Sequence, residues 1–162
     1  MKISEITIPM FIDGTGSKKN TNSINKSQVI TKMLDYYEKD QRVVLPKKNS
    51  LFNYLMKREE LGTTGIGKGV AVPHTQHESL EKFFSVLGVS HNGVDFESMD
   101  GEPAYIIWLF LGPIGYEGKR LSYLERISTL IRDKDFRRFV REAQNEKVIL
   151  DILYEVDGLF KV

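Results

Sequence analysis

Residues 105–111 read YIIWLFL, and this apolar run decides the class of fold. Because successive side chains of a strand point to opposite faces, a strand this apolar needs cover on both faces. Amphipathic helical patterns lie on either side of it in the sequence, early over residues 25–60 and late over residues 121–153. We therefore predict an α/β fold: a three-layer sandwich in which a mixed β-sheet is flanked by helices.

Two further strands are expected beside this central one. Residues 6–12 alternate in polarity and contain Pro9, which cannot donate to a ladder, so they predict an edge strand. Residues 83–91 predict another strand, and Asn92-Gly93 predicts a tight turn directly after it. Between them, residues 13–25 are rich in Gly, Ser, Asn and Lys and predict a flexible connection.

Both early helices carry candidate N-terminal caps. Asn25 or Ser27 is expected to cap the first, and Asn49 or Ser50 the second. Both pairs are residue types whose side chains accept hydrogen bonds from the free amides of a first helical turn.

Length and composition describe one soluble domain over residues 1–162. A formal net charge of +1 gives no reason to expect a nucleic-acid partner or an anionic membrane surface. The absence of cysteine excludes disulfides, thiolate metal sites and cysteine nucleophiles. The N-terminus lacks the apolar run of a signal peptide, and the longest apolar run is far below the roughly 20 residues that span a bilayer. We expect a cytoplasmic protein without membrane insertion.

His74 is the leading candidate for chemistry. It follows Pro73 at the end of a short apolar strand, behind the glycine-rich stretch of residues 61–75, LGTTGIGKGVAVPHT. Glycines at 65, 67 and 69 allow backbone amides to approach a ligand closely, and Arg58, Lys68, Thr63 and Thr64 add donors. Neutral imidazole is a good nucleophile near pH 7, so the set suits a phosphoryl acceptor.

Plainer interpretations compete with this one. A histidine after a proline is commonly a structural loop residue, and GIGKG lacks the GxxxxGK[ST] pattern of a P-loop. His74 and His77, with Glu78 adjacent, have the spacing of a metal pair, but no helix brings both histidines onto one face and no third ligand is evident. We expect no metal and no cofactor beyond the transferred phosphate.

A family resemblance at these residues strengthens the phosphoryl hypothesis. Residues 58–74, REELGTTGIGKGVAVPH, resemble the phosphorylation-site signature of the EIIA domains of fructose–mannitol type, from bacterial phosphotransferase systems. Residues 93–113, GVDFESMDGEPAYIIWLFLGP, resemble that family's hairpin and following core strand. The likeness covers roughly residues 25–155 and is nearest to the stand-alone nitrogen-regulatory branch, often called PtsN.

The resemblance implies a function and its partners. His74 would accept a phosphoryl group from an HPr-like carrier, with Arg58, Thr64, Gly67, Gly69 and Arg120 binding the phosphate. An EIIB protein, a transporter or a sensor kinase would then be the acceptor or the regulated target.

Two departures from the family pattern stand out. Thr75 occupies the position after the histidine where the family commonly has glycine, and Arg120 stands where it usually has a second histidine. Arginine binds phosphate with two donors but cannot accept a hydrogen bond. Arg120 is thus either a phosphate ligand or a solvated residue at a helix start.

A second hypothesis follows from the missing histidine. The chain would then be an EIIA-shaped regulatory module that is not phosphorylated, and a third hypothesis makes it the EIIA of a separately encoded sugar permease. Away from the signature, Arg137, Arg138 and Arg141 form either a solvated helix face or a docking site for an acidic partner.

Overall fold

A computed structural model describes residues 2–13 and 24–159 of the chain. The connection expected over residues 13–25 lies largely outside them. The strands run β1 Thr7–Phe11, β2 Ile24–Asn25, β3 Gly65–Gly67, β4 Val70–Ala71, β5 His74–Gln76, β6 Phe84–Asp95 and β7 Ala104–Gly112. The helices run α1 Ile3–Ile6, α2 Lys26–Gln41, α3 Lys48–Leu61, α4 Glu117–Arg132, α5 Lys134–Glu142 and α6 Glu146–Leu159.

The strands form one mixed sheet in the order β1-β6-β7-β4-β3. β7 lies inside it: β6 pairs with it antiparallel on one side, and β4 and β5 pair with it parallel on the other. Among the described strands, β1 pairs with β6 alone, in parallel, so the predicted edge position of the Pro9 strand is confirmed.

Alternate side chains of β7 enter two separate cores, which confirms the predicted three-layer sandwich. Ile107, Leu109 and Leu111 pack with α2 and α3. Ile106, Trp108 and Phe110 pack with the late helices α4, α5 and α6 on the opposite face. Trp108 is fully buried, and its indole nitrogen donates to the Ser85 hydroxyl at 3.1 Å.

The two cap predictions had different outcomes. Asn25 caps α2 with a complete capping box, accepting from the Gln28 amide while the Gln28 side chain accepts from the Asn25 amide. Neither Asn49 nor Ser50 caps α3, which begins at Lys48 after Lys47 in the left-handed conformation. Ser50 lies inside the helix, where its hydroxyl hydrogen-bonds Nε2 of His77 at 2.9 Å.

The predicted turn at Asn92-Gly93 is wrong. β6 continues to Asp95, and residues 90–93 bulge against residue 105 of β7 alone. The Asp13 carboxylate accepts from the His91 and Asn92 amides, and Gly93, with φ at +86°, donates its amide to the Ser90 hydroxyl. With these hydrogen bonds, Asn92 and Gly93 kink the strand but do not reverse its direction.

Gly112 provides a test of the packing at the end of β7. A Cβ at this position would overlap the Phe83 ring, which is itself packed against Phe110 and Tyr123. We expect Gly112→Ala to lower the free energy of unfolding by about 1–3 kcal/mol, because the buried ring has to move. Urea denaturation measures it.

Gly118→Ala in α4 is the matched control. A Cβ there meets nothing within 4 Å, so the added methyl should raise helix stability by about 0.5–1 kcal/mol. Equal midpoints for the two variants would contradict the packing described for Gly112.

Candidate active site

His74 begins β5, and the sheet sets the direction of its side chain. His74 is paired with Phe110 of β7, whose ring faces the late helices, and paired residues of neighbouring strands share a face. The imidazole is therefore directed towards α4. It remains partly exposed.

One hydrogen bond sets the tautomer of His74. Nδ1 lies 2.7 Å from the carbonyl oxygen of Val72. A carbonyl only accepts, so Nδ1 carries the proton of the neutral ring and Nε2 keeps its lone pair. Within residues 2–13 and 24–159, Nε2 has no hydrogen-bond partner. The site thus holds an oriented imidazole with a free basic nitrogen.

The surroundings of His74 favour the neutral ring. Burial lowers the pKa of His74 from its ordinary 6.5, and the Arg58 and Arg120 guanidinium groups lower it further. The hydrogen bond to Val72 and the charge of Glu59 act in the opposite direction. An imidazole that stays neutral at physiological pH is a competent nucleophile.

Arg120 lies in the first turn of α4, and its positive charge acts on the His74 ring. Its Nη2 donates to Oε2 of Glu117 at 2.7 Å, and its side chain is 23% exposed. Hydrogen bonding and charge from Arg120 hold the pKa of Glu117 below its ordinary value, with a further hydrogen bond from Gln76. Arg120 is thus fixed at the site rather than freely solvated.

Two buried polar atoms of this cluster are unsatisfied. Nε of Arg120 and Oε1 of Gln76 have no hydrogen-bond partner within the part of the chain that the structure describes. Buried polar groups are normally paired, and one left unpaired at a nucleophile is a reason to expect a ligand there. The Arg120 Nε–H is a charged donor and fits an anion, whereas Oε1 of Gln76 is an acceptor and fits a donor such as water.

Arg58 lies in the last turn of α3. It is half-buried, and its Nη1 donates to the carbonyl of Gly62 at 2.8 Å. That bond uses one of its five donors, and its charge reaches His74. The structure therefore brings together Arg58, His74 and Arg120 from the predicted set.

Thr64, in contrast, has its polar groups engaged elsewhere. Its hydroxyl donates to Oε2 of Glu59 at 2.5 Å, and its amide donates to Oε1 of the same carboxylate at 2.9 Å. Glu59 in turn forms a buried ion pair with Lys26 at 2.9 Å. Thr64 positions the chain between α3 and β3, and its hydroxyl is not available to a phosphate.

The glycines predicted to hold phosphate lie away from His74. Val70, which pairs with Gly67, sits opposite Ile106 of β7, whereas His74 sits opposite Phe110. Four residues of strand separate the two positions by about 13 Å. Gly67 and Gly69 have φ of +94° and +77° and shape the β3–β4 hairpin turn, so their position does not support a phosphate-binding role. Lys68 lies in the same remote turn.

His77 lies on the opposite face of the strand from His74 and does not share a site with it. It is buried, its Nδ1 accepts from the Ser79 amide at 3.0 Å, and Nε2 contacts Ser50. Across residues 2–13 and 24–159, no group of three or more metal-ligating side chains is found. The HxxH spacing thus places a structural histidine three residues after the partly buried His74.

Sequence reasoning missed several contributors to the site. Gln76 and Glu117 had usable signals, because Gln76 is two residues from His74 on a strand and Glu117 is three residues from Arg120 on a helix. The Lys26–Glu59 pair joins residues 33 positions apart and has no local signal.

Comparison with known proteins agrees with this geometry. The family model described as "Phosphoenolpyruvate-dependent sugar phosphotransferase system, EIIA 2" matches residues 11–156. The chain belongs to this EIIA family of phosphotransferase-system components. No described helix is long and apolar enough to cross a membrane.

Two relatives show which branches of the family are similar. A nitrogen regulatory protein of Bradyrhizobium diazoefficiens is 39% identical over 104 residues, covering 64% of this chain and 68% of that protein. The fructose-specific EIIABC component of Bacillus subtilis is 32% identical over 97% of this chain, which spans only 24% of that longer protein.

Solved structures support the fold. Nitrogen regulatory protein IIA-Ntr of Neisseria meningitidis superposes with a TM-score of 0.72 at 23% identity, covering 93% of this chain and 94% of that one. IIA mannitol of Escherichia coli gives a TM-score of 0.65 at 16% identity, over 82% and 91% of the two chains. The predicted family and fold are both confirmed.

The buried Lys26–Glu59 pair gives a stability prediction. Both side chains are under 10% exposed, so Glu59→Ala leaves a buried ammonium without its counter-charge. We expect a loss of about 3–5 kcal/mol in the free energy of unfolding, measured by urea denaturation. Glu60→Ala, at the exposed neighbouring position, is the control and should change it little. A loss for Glu59→Ala no larger than for Glu60→Ala would contradict the role of the pair.

The electrostatics of His74 predict its titration. Since burial depresses the folded-state pKa, the ring's contribution to stability is present above 6.5 and is lost as pH falls through that lower pKa. An NMR titration of the His74 ring should give a midpoint below 6.5. Arg58→Gln and Arg120→Gln should each raise the midpoint, because each removes a positive charge.

Arg132→Gln, at the far end of α4, is the matched control for charge removal and should leave the midpoint unchanged. A native midpoint at or above 6.5 would contradict the described environment of His74.

Proposed function

We propose that this chain is a phosphocarrier in which Nε2 of His74 accepts a phosphoryl group from the phosphohistidine of an HPr-like protein. The observation that carries the proposal is the Val72 hydrogen bond, which leaves Nε2 as the free lone pair beside two arginines. Membership of a phosphotransferase-system family supports the same reaction class.

The transfer exchanges one N–P bond for another. Nε2 of His74 attacks the phosphorus while the bond to the donor's ring nitrogen breaks, and that nitrogen keeps the electron pair. The proton of His74 remains on Nδ1 and stays hydrogen-bonded to the Val72 carbonyl, which stabilises the positive character that the phosphorylated ring acquires. Because the phosphoryl oxygens carry the developing charge, catalysis depends mainly on position and on nearby donors.

Arg120 is the main candidate for holding the transferred group. Its unsatisfied Nε–H supplies a charge-assisted donor, and Arg58 supplies a second cation from α3. Glu117, already bound to Arg120, keeps the guanidinium in place before the phosphate arrives. Arg120 thus provides a fixed positive charge where the family usually has a second histidine.

A regulatory role is the more strongly supported use of this phosphocarrier. Nitrogen regulatory proteins are among the relatives, including one 39% identical. The similarity to a fructose-specific EIIABC component supports the alternative, in which this chain is the EIIA of a separately encoded sugar permease. An EIIB is a candidate acceptor, since the mannitol EIIA, which shares this fold, has been solved in complex with phosphorylated EIIB. A transporter or a sensor kinase is the corresponding target of a regulator.

We also propose a domain organisation and a location for the protein. Residues 1–162 form a single EIIA domain that works in the cytoplasm, where a donor phosphorylated from phosphoenolpyruvate would reach it. The alternative of an unphosphorylated regulatory module is favoured only by the missing second histidine. The free Nε2 and the unsatisfied arginine donor argue for the phosphocarrier.

Phosphorylation in vitro tests the proposal. Purified chain is incubated with enzyme I, an HPr-type carrier and phosphoenolpyruvate, and acid-labile phosphate is measured. We expect native protein and His91→Gln to be phosphorylated and His74→Ala to remain unmodified, because His91 is exposed and lies outside the site. Arg120→Ala and Arg58→Ala should be phosphorylated at least tenfold more slowly, since each loses a cation that faces the phosphoryl oxygens.

Arg132→Ala serves as the matched arginine control. No phosphate on native protein with several donor carriers, including that of the source organism, would overturn the proposal and favour the unphosphorylated regulator.

A further inference from the structure

A second, strongly basic groove lies away from His74. It has a volume of about 410 Å³ and is lined by residues of three separate elements: the β3–β4 turn, the bulge of β6, and α5. Its lining residues are Lys68, Ser90, His91, Lys134, Arg137, Arg138, Arg141 and Glu142. The family comparison and the phosphocarrier chemistry assign it no role.

The charge of the groove is unusual for this chain. The whole sequence carries a formal net charge of only +1, yet five lysines and arginines line this one concavity. Glu142 is the single carboxylate among the described residues that line it. Arg138 forms an exposed ion pair with Asp135 at 3.4 Å, and the lining still carries an excess of positive charge. Like charges concentrated in this way repel one another, and a bound anion would relieve that repulsion.

Four of the five cations come from one face of α5. Lys134, Arg137, Arg138 and Arg141 recur at spacings of three and four residues, while Phe136 and Val140 face the core. From the first to the last, the stripe is about 10 Å long at 1.5 Å per residue. That length matches a ligand with more than one anionic group.

Packing restrains two of the arginines. The Arg141 guanidinium lies 4.0 Å from the centre of the Tyr105 ring. Arg137 donates through Nη1 to the carbonyl of Ile131 at 2.7 Å. Each bond or stack leaves other guanidinium donors available, and restrained guanidinium forks are well suited to bidentate contact with phosphate oxygens.

The groove is separate from the phosphorylation site. Tyr105, beneath Arg141, precedes Phe110, the partner of His74, by five residues along β7. At about 3.3 Å per residue this is roughly 16 Å. A ligand in the groove would therefore leave Nε2 of His74 open to a donor protein.

We infer that this groove is a binding site for a small ligand bearing two or more phosphate groups. Its volume falls within the range of about 300–1,000 Å³ that is usual for small-molecule sites. The exposed His91 ring, stacked on Phe11, adds an aromatic surface at the rim. The site is independent of whether His74 is phosphorylated.

Calorimetric titration of the full chain tests this inference. Three probes are used: inorganic tripolyphosphate, ATP and fructose 1,6-bisphosphate, with inorganic phosphate as the single-charge comparison. We expect at least one polyphosphorylated probe to bind at least tenfold more tightly than inorganic phosphate. Tighter binding of ATP than of tripolyphosphate would mean that the base contributes, and preference for the bisphosphate would indicate a phosphosugar.

Matched variants locate the site. Lys134→Glu/Arg138→Glu reverses two charges in the groove at positions exposed on α5, and should weaken binding at least tenfold. Lys39→Glu/Lys147→Glu makes the same change in net charge at exposed positions on α2 and α6, and should change binding less than twofold. His74→Ala should bind the probe as tightly as native protein does. In an NMR titration of the native chain with the probe, the amide resonances of α5 should shift.

Four results would overturn the inference. One is no binding of any polyphosphorylated probe at millimolar concentration; another is equal weakening by the two double variants. The third is binding that is lost in His74→Ala, which would assign the anion to the phosphorylation site. Binding of poly-glutamate to the groove without binding of the phosphorylated probes would also overturn it, in favour of an acidic protein partner.

Discussion

The position of β7 is the constraint on which the rest of the structure depends. It is apolar on both faces, so it has to lie inside the sheet with helices above and below. Its side chains divide the core into two halves, and its edge towards β4 and β5 fixes where His74 stands through the pairing with Phe110. The same strand thus contributes side chains to both cores and forms the platform for the nucleophile.

From that platform, short-range interactions determine the chemistry. Pro73 and the Val72 carbonyl orient the imidazole, while α3 and α4 deliver one arginine each to its surroundings. The buried Lys26–Glu59 pair holds the neighbouring segment through both polar groups of Thr64. A phosphocarrier needs a fixed neutral ring and nearby cations that do not move far, and this combination of rigid elements provides both.

The sequence predicted those parts of the protein that local pattern controls. The buried strand, the edge strand with Pro9, the Asn25 cap and the three late helices follow from periodicity, proline chemistry and capping. The predicted turn at Asn92-Gly93 was wrong because the carboxylate of Asp13, far away in the sequence, accepts hydrogen bonds from backbone amides of the bulge. For Thr64 and the glycines, phosphate binding stays a prediction that their positions do not favour, because their neighbours in space, Glu59 and the distant end of β7, have no signature in the sequence. Residue chemistry and the family resemblance both pointed to His74 and Arg58, and the resemblance alone pointed to Arg120. The structure adds that the charges of both arginines act on the His74 ring.

The central claim is that His74 presents Nε2 as a nucleophile while Val72 retains the proton on Nδ1. The most direct measurement is a long-range ¹H–¹⁵N correlation spectrum of the His74 ring at alkaline pH, with the resonances assigned by comparison with His74→Ala. If Nδ1 donates to Val72 as described, the free protein will show the Nδ1–H tautomer. The phosphorylated protein will show phosphorus coupling to Nε2. An Nε2–H tautomer, or phosphate on Nδ1, would contradict it.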